Sequence, residues 1–96
     1  MTTVSHSNIT TNSQPFTLAG AKINASISGT IADGIDPPEL EQLVGGNWMQ
    51  LDPRMRFMKT EIGSVKTSRL DPAATAFRWR IPFGSHTVST SVISSS

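Results

Sequence analysis

In the stretch FRWRIPF, residues 77–83, Arg78 and Arg80 alternate with Phe77, Trp79, Ile81 and Phe83. Rings on which bases stack, beside cations that neutralise phosphates, are how single-stranded nucleic acid is held. The alternation argues against that chemistry here. Successive side chains of a strand point to opposite faces. Rings and guanidinium groups then share a ligand surface only if the ring face is open. A chain with only six aromatic residues uses such a stripe better as core. The sequence therefore predicts a half-buried strand ending at Pro82, which has no N–H to give to a ladder.

Other chemistry has less to stand on. Thirteen Ser residues accompany His6 and His86, so a Ser near an imidazole is expected by chance. A Ser nucleophile needs a positioned base, and no strained G-x-S-x-G elbow is present. Asp33-Gly34-x-Asp36 matches a fragment of an oxygen-ligand loop without the further ligands calcium needs. The chain has no Cys, which removes disulfides and thiolate metal sites. No catalytic residue, metal ligand or cofactor is assigned. Trp48, between Asn47 and Met49, is a candidate ring for stacking on a sugar.

Charge gives the better signal. Residues 1–53 carry a net −4, from Lys22 against Asp33, Asp36, Glu39, Glu41 and Asp52. Residues 54–96 carry +5 and hold all five arginines, among them Arg54, Arg56, Arg78 and Arg80. Opposite halves of one small chain attract each other internally, or pair head to tail between copies. The candidate interaction residues are therefore Arg54, Arg56, Arg78, Arg80, Trp48, Glu39 and Glu41.

These residues need a frame. Ile23, Ala25, Ile27, Gly29 and Ile31 alternate with Asn24, Ser26, Ser28 and Thr30, the period of a half-buried strand. Phe16 and Leu18 have the other parity, and Gly20 is placed to change register by a bulge or turn. Asp36 as N-cap, Pro37 at N1, Glu39 at N3 and Gly45-Gly46 as a stop predict one short α-helix over residues 37–44. Trp48, Met49 and Leu51 suggest a short strand, and Asp52-Pro53 a turn. Met55 and Phe57 then face away from Arg54, Arg56 and Met58. Residues 62–76 show no clean period, and Asp71-Pro72 reads as a turn. Residues 1–14 are polar and read as a flexible arm. Residues 87–96 read as a second arm or a final edge strand. The expected fold is mainly β: a small antiparallel β-sandwich or barrel-like domain over residues 15–86, with one short helix and extended ends.

Composition narrows the function classes. Charged residues make up 16% of the chain, against about 25% in an average domain. Ser and Thr supply 24 of 96 residues, and the net charge is +1. A free small domain usually keeps more surface charge, and a subunit covered by neighbours needs less. No apolar run approaches the ~18 residues of a membrane span. The first residues lack the basic and apolar regions of a signal peptide. Two sequons, at Asn8 and Asn24, are discounted for want of a secretion signal. Short, low-charge, cysteine-free, Ser/Thr-rich chains are common among minor virion proteins, an analogy of composition carried by no motif. The expectation is a non-enzymatic structural subunit of a larger assembly, made in the cytoplasm and ending in a virion or other extracellular assembly. Its partners are copies of itself or other structural proteins, with no membrane and no nucleic acid. The alternative is a small carbohydrate- or nucleic-acid-binding β module.

Overall fold

A computed structural model of the chain describes residues 2–32, 34–82 and 86–95. Seven strands form the fold: β1 (Thr2–Ile9), β2 (Lys22–Thr30), β3 (Glu39–Val44), β4 (Asn47–Arg56), β5 (Val65–Arg69), β6 (Ala74–Arg80) and β7 (Thr87–Ser95). They make one curled antiparallel sheet, a half-barrel, in the order β1-β7-β2-β5-β4-β3-β6. The mainly β fold expected from the sequence is the fold observed.

Period-two patterning decides which faces turn inward. Ile23, Ala25 and Ile27 of β2 are buried, and so are Val88 and Val92 of β7. From the other half come Leu40, Leu51, Met55, Phe57, Phe77, Trp79 and Ile81. Phe57 and Trp79 meet with ring centroids 5.8 Å apart. The stripe Phe77, Trp79 and Ile81 thus lines the core as predicted, and Arg78 and Arg80 lie on the opposite face. Phe83, the last member of the expected stripe, lies outside the described residues, as does Asp33.

β4 links the two halves of the sheet. It pairs with β3 from Val44↔Asn47 to Glu41↔Gln50, and again at Leu40↔Met55 and Glu39↔Arg56. Between Gln50 and Met55, residues 51–54 have no opposite number on β3. There Asp52 pairs with Arg69 of β5 instead. The Asp52-Pro53 peptide is cis and lies inside this excursion, within the strand rather than between strands.

Three further expectations are corrected. Residues 37–44 do not form a helix: Glu39–Val44 is β3, flanked by β4 and β6. A two-turn helix is marginal alone, whereas β3 gains a ladder on each side. ELEQLV also alternates, with Leu40 and Gln42 buried inward and Glu39 and Glu41 meeting arginines on the outer face. Gly45 and Gly46, with φ of 59° and 82°, are the two-residue loop of a β-hairpin, where positive φ is required at both positions. The only helical turn among the described residues is a 3-10 turn, Lys59–Glu61.

The ends differ as well. Thr2–Ile9, expected as an arm, is a strand paired with β7. Thr87–Ser95 is neither an arm nor an edge strand: it lies between β1 and β2. Val88, Thr90, Val92 and Ser94 share one parity and are all buried. Their alternation was weak in hydropathy because two of the four are hydroxyl residues. The unassigned stretch holds β5 and the start of β6. They are joined by the expected turn at Asp71-Pro72, where Ala74 N–H donates to the Asp71 carbonyl at 3.0 Å.

Candidate functional site

Two regions could carry function: the charged outer face of β3, β4 and β6, and the terminal strand β1.

On the outer face, β3 brings Glu39 and Glu41 between arginines of its two neighbours. Arg54 donates to Glu39 through Nε at 2.7 Å and Nη2 at 2.8 Å. Arg80 reaches the same carboxylate at 3.5 Å and Glu41 at 3.8 Å. Arg78 donates from Nε to Glu41 at 3.0 Å, and its guanidinium carbon lies 4.3 Å from the centroid of the Trp48 ring. Six of the seven candidate residues are therefore gathered in one network. Arg56 is exposed, with no ion pair among the described residues. Its positive charge helps hold down the Glu61 carboxyl, after the Lys66 and Met58 hydrogen bonds.

Electrostatics here is internal. Burial alone would raise the pKa of Glu39, but the Arg54 hydrogen bonds and the charges of Arg54 and Arg80 outweigh it. Its carboxyl is held below the ordinary carboxylate range. Arg54 is held up by the same pair. Both carboxylates are engaged, and Arg54, Arg78 and Arg80 each neutralise a neighbouring strand's glutamate. Arg78 lies over the Trp48 ring, which is half-buried.

The histidines have structural partners. His86 is buried. Its Nδ1 accepts from Ala32 N–H at 3.0 Å, and its Nε2 lies 2.7 Å from the Asp36 carbonyl. Both nitrogens are thus engaged by backbone, leaving neither to act as a base for a Ser. The His6 ring contacts Phe16, centroids 5.3 Å apart, and its Nδ1 lies 3.5 Å from Thr90 Oγ1. Among the described residues no group of three or more His, Asp or Glu side chains could hold a metal ion. No helix there is long and apolar enough to cross a membrane.

The two ends of the sheet are treated differently. At the β6 end, residues 12–16 cover the outer edge. Phe16 exchanges both backbone hydrogen bonds with Phe77 at 2.8 Å, and Ser13 N–H donates to the Trp79 carbonyl at 3.0 Å. Side chains complete the cover: Ser13 Oγ accepts from Trp79 N–H and Asn12 Oδ1 from Ile81 N–H, each at 2.9 Å. At the other end, β1 pairs with β7 alone. Among the described residues, no backbone hydrogen bond leaves its other edge. Sequence reasoning missed β1 as a strand. The available signal was Val4 and His6 alternating with Thr3, Ser5 and Ser7, too polar to stand out from a flexible leader.

The outer surface over β1, β7 and β2 is a field of hydroxyls. Ser5, Ser91 and Ser26 lie in one cross-strand row, and Ser89 and Ser28 in the next. They border a groove of about 440 Å³. Compared with protein-family models, with curated proteins and with solved structures, the chain matches none of them.

Proposed function

We propose that the chain is a non-enzymatic structural subunit that joins a larger assembly by strand addition at β1. The observation that carries this reading is the bare edge of Thr2–Ile9. A solvent-facing edge strand is normally blunted by Lys, Pro, a bulge or a covering loop, because its unpaired N–H and C=O groups recruit other strands. β6 has such a cover; β1 has neither charge nor Pro along its length, and its one irregularity lies past His6, leaving Thr2 to His6 regular. Strand addition supplies affinity through main-chain hydrogen bonds without a specialised site.

Composition supports the kind of assembly. Low charge, no Cys and abundant Ser and Thr fit a minor virion component such as a phage capsid decoration, cement or tail protein. The partners are then copies of this chain or neighbouring structural proteins, in a virion or other extracellular assembly. The competing reading, a carbohydrate- or nucleic-acid-binding module, relies on the Trp48 ring and the outer-face arginines. Those are already engaged with one another and with Glu39 and Glu41.

The test is sedimentation from the native source. The chain is expected to travel with particles much larger than its own 10.3 kDa. A Thr3→Lys/Ser5→Lys variant, which charges the edge, is expected to remain with the small proteins. If the variant still travels with the particles, assembly does not use β1 and the reading fails.

A further inference from the structure

We infer that the β1 edge is filled by β1 of a second copy, paired antiparallel about a two-fold axis at Val4. This rests on the edge-strand reading above and names its partner.

The distribution of charge points to self-pairing. β2 carries Lys22, β3 two Glu, β4 Asp52 with Arg54 and Arg56, β5 Lys66 with Arg69, and β6 two Arg. Only β1 and β7 lack charge, and β7 is interior. The one strand left bare is thus the one terminal strand without charge. A charged partner strand would find no opposite charge on Thr2–Ile9 to pair with. A copy of β1 would meet no like charge, which directly opposed would destabilise the pair.

Geometry locates the axis. The β1–β7 ladder is regular from Thr2↔Ser94 to His6↔Thr90, and its register shifts before Ile9↔Val88. Asn8, at φ 51°, lies in that irregular part. The flat portion is therefore Thr2 to His6, with Val4 at its centre. Self-pairing there sets Val4 against the partner's Val4, Thr3 against its Ser5, and Thr2 against its His6. A two-fold interface must be self-complementary, and this register opposes valine to valine and hydroxyl to hydroxyl.

The core gives a second reason. Core-facing Val88, Thr90, Val92 and Ser94 of β7 are buried, but Thr2, Val4 and His6 of β1 are only half-buried. The core thins at the β1 end of the half-barrel. Two copies joined at Val4 would cover each other's half-exposed side chains and continue one sheet into the next. The paired segment is short beside a standard interface, so the dimer is expected to dissociate on dilution.

Register-specific cross-linking tests this directly, because the chain has no native Cys. Thr3 and Ser5 are exposed, so neither substitution disturbs the core. Directly opposed residues have Cβ atoms about 4.5–5.5 Å apart, and diagonal ones about 7–8 Å, too far for an unstrained disulfide. Mixing Thr3→Cys chains with Ser5→Cys chains is expected to give a disulfide-linked pair under mild oxidation, and neither variant alone is expected to do so efficiently. In sedimentation equilibrium the unmodified chain is expected to be a monomer–dimer mixture. Thr3→Lys/Ser5→Lys, which opposes Lys to Lys, is expected to raise the dimer dissociation constant about tenfold or more, with a thermal midpoint unchanged at dilutions where both chains are monomers. A chain that is monomeric at every concentration overturns self-pairing. So does a dimer that survives the double Lys variant, or cross-linking of Thr3→Cys with itself alone. If self-pairing fails while particle association still depends on the edge, the β1 reading stands and its occupant is another protein.

Discussion

Glu39 and Arg54 meet through two parallel hydrogen bonds, 2.7 and 2.8 Å long, although Glu39 is 1% exposed and Arg54 reaches solvent. The strand places a carboxylate in a nearly dry position, and the excursion of β4 brings a guanidinium to it. Removing the charge while keeping the shape tests that pair together with the longer Arg80 contact to the same carboxylate. Glu39→Gln is expected to lower stability by about 1–3 kcal/mol, read by urea denaturation with an unchanged m-value.

Acid should act on the same carboxylate. The folded-state pKa of Glu39 lies below its ordinary value, so the stabilisation is complete above the ordinary carboxylate pKa. It is lost as pH falls from there through the depressed folded value. Denaturation midpoints measured down that range should decline in the unmodified chain and decline less in Glu39→Gln. Parallel declines would show that other carboxylates dominate acid sensitivity.

His86 ties the segment after β2 to the segment before β3. Because Nδ1 accepts from Ala32 N–H, the proton of the neutral ring is on Nε2, donated to the Asp36 carbonyl. Nitrogen-15 spectra of the imidazole are expected to show that tautomer. His86→Phe leaves a part-buried N–H and a carbonyl without their ring partner, a loss of about 1 kcal/mol. A stability within a few tenths of the unmodified chain would show that water replaces the ring.

Trp48 and Trp79 should report separately. Trp79 is fully buried and Trp48 half-buried beneath Arg78. Acrylamide should quench one of the two emitters, and Trp48→Phe should abolish the quenchable part. Arg78→Ala should make Trp48 more quenchable and lower stability by about 1 kcal/mol.

Gly20 precedes β2 at φ 116°, and a Cβ there would run into the Ser95 carbonyl. The neighbouring Ala21 N–H donates to that same oxygen at 2.8 Å, so the carbonyl is held in place. Gly20→Ala should destabilise by about 1–3 kcal/mol, with Ala21→Gly as a control that leaves the hydrogen bond intact.

Where apolar residues alternated, the fold was legible. Ile23, Ala25 and Ile27 mark β2, Leu51 and Met55 the inner face of β4, and Phe77 with Trp79 that of β6. Gly20, expected to change register, lies in the bend just before β2. Local signals misled at residues 37–44. There Asp36, Pro37 and Glu39 are good helix-start chemistry, but the partners of Glu39 and Glu41 lie 15 to 41 residues away. No local rule sees such pairs. The charged members of the network were legible in part from the acidic and basic halves of the chain, which also singled out Arg56, a residue that stays outside it. The bare edge was not, because β1 is too polar to show a stripe and an edge is defined by which strand does not come next.

The interior position of β7 has a consequence for how the molecule forms. β1 and β2 pair with the same strand and not with each other, so β1 has no place on the sheet until Thr87–Ser95 arrives. Pairings such as Thr2↔Ser94 close nearly the whole chain into one loop, a topology of the slow, non-local class. A molecule lacking its final ten residues would be left with an unattached leading ribbon and an uncovered sheet, an incomplete fold prone to clumping.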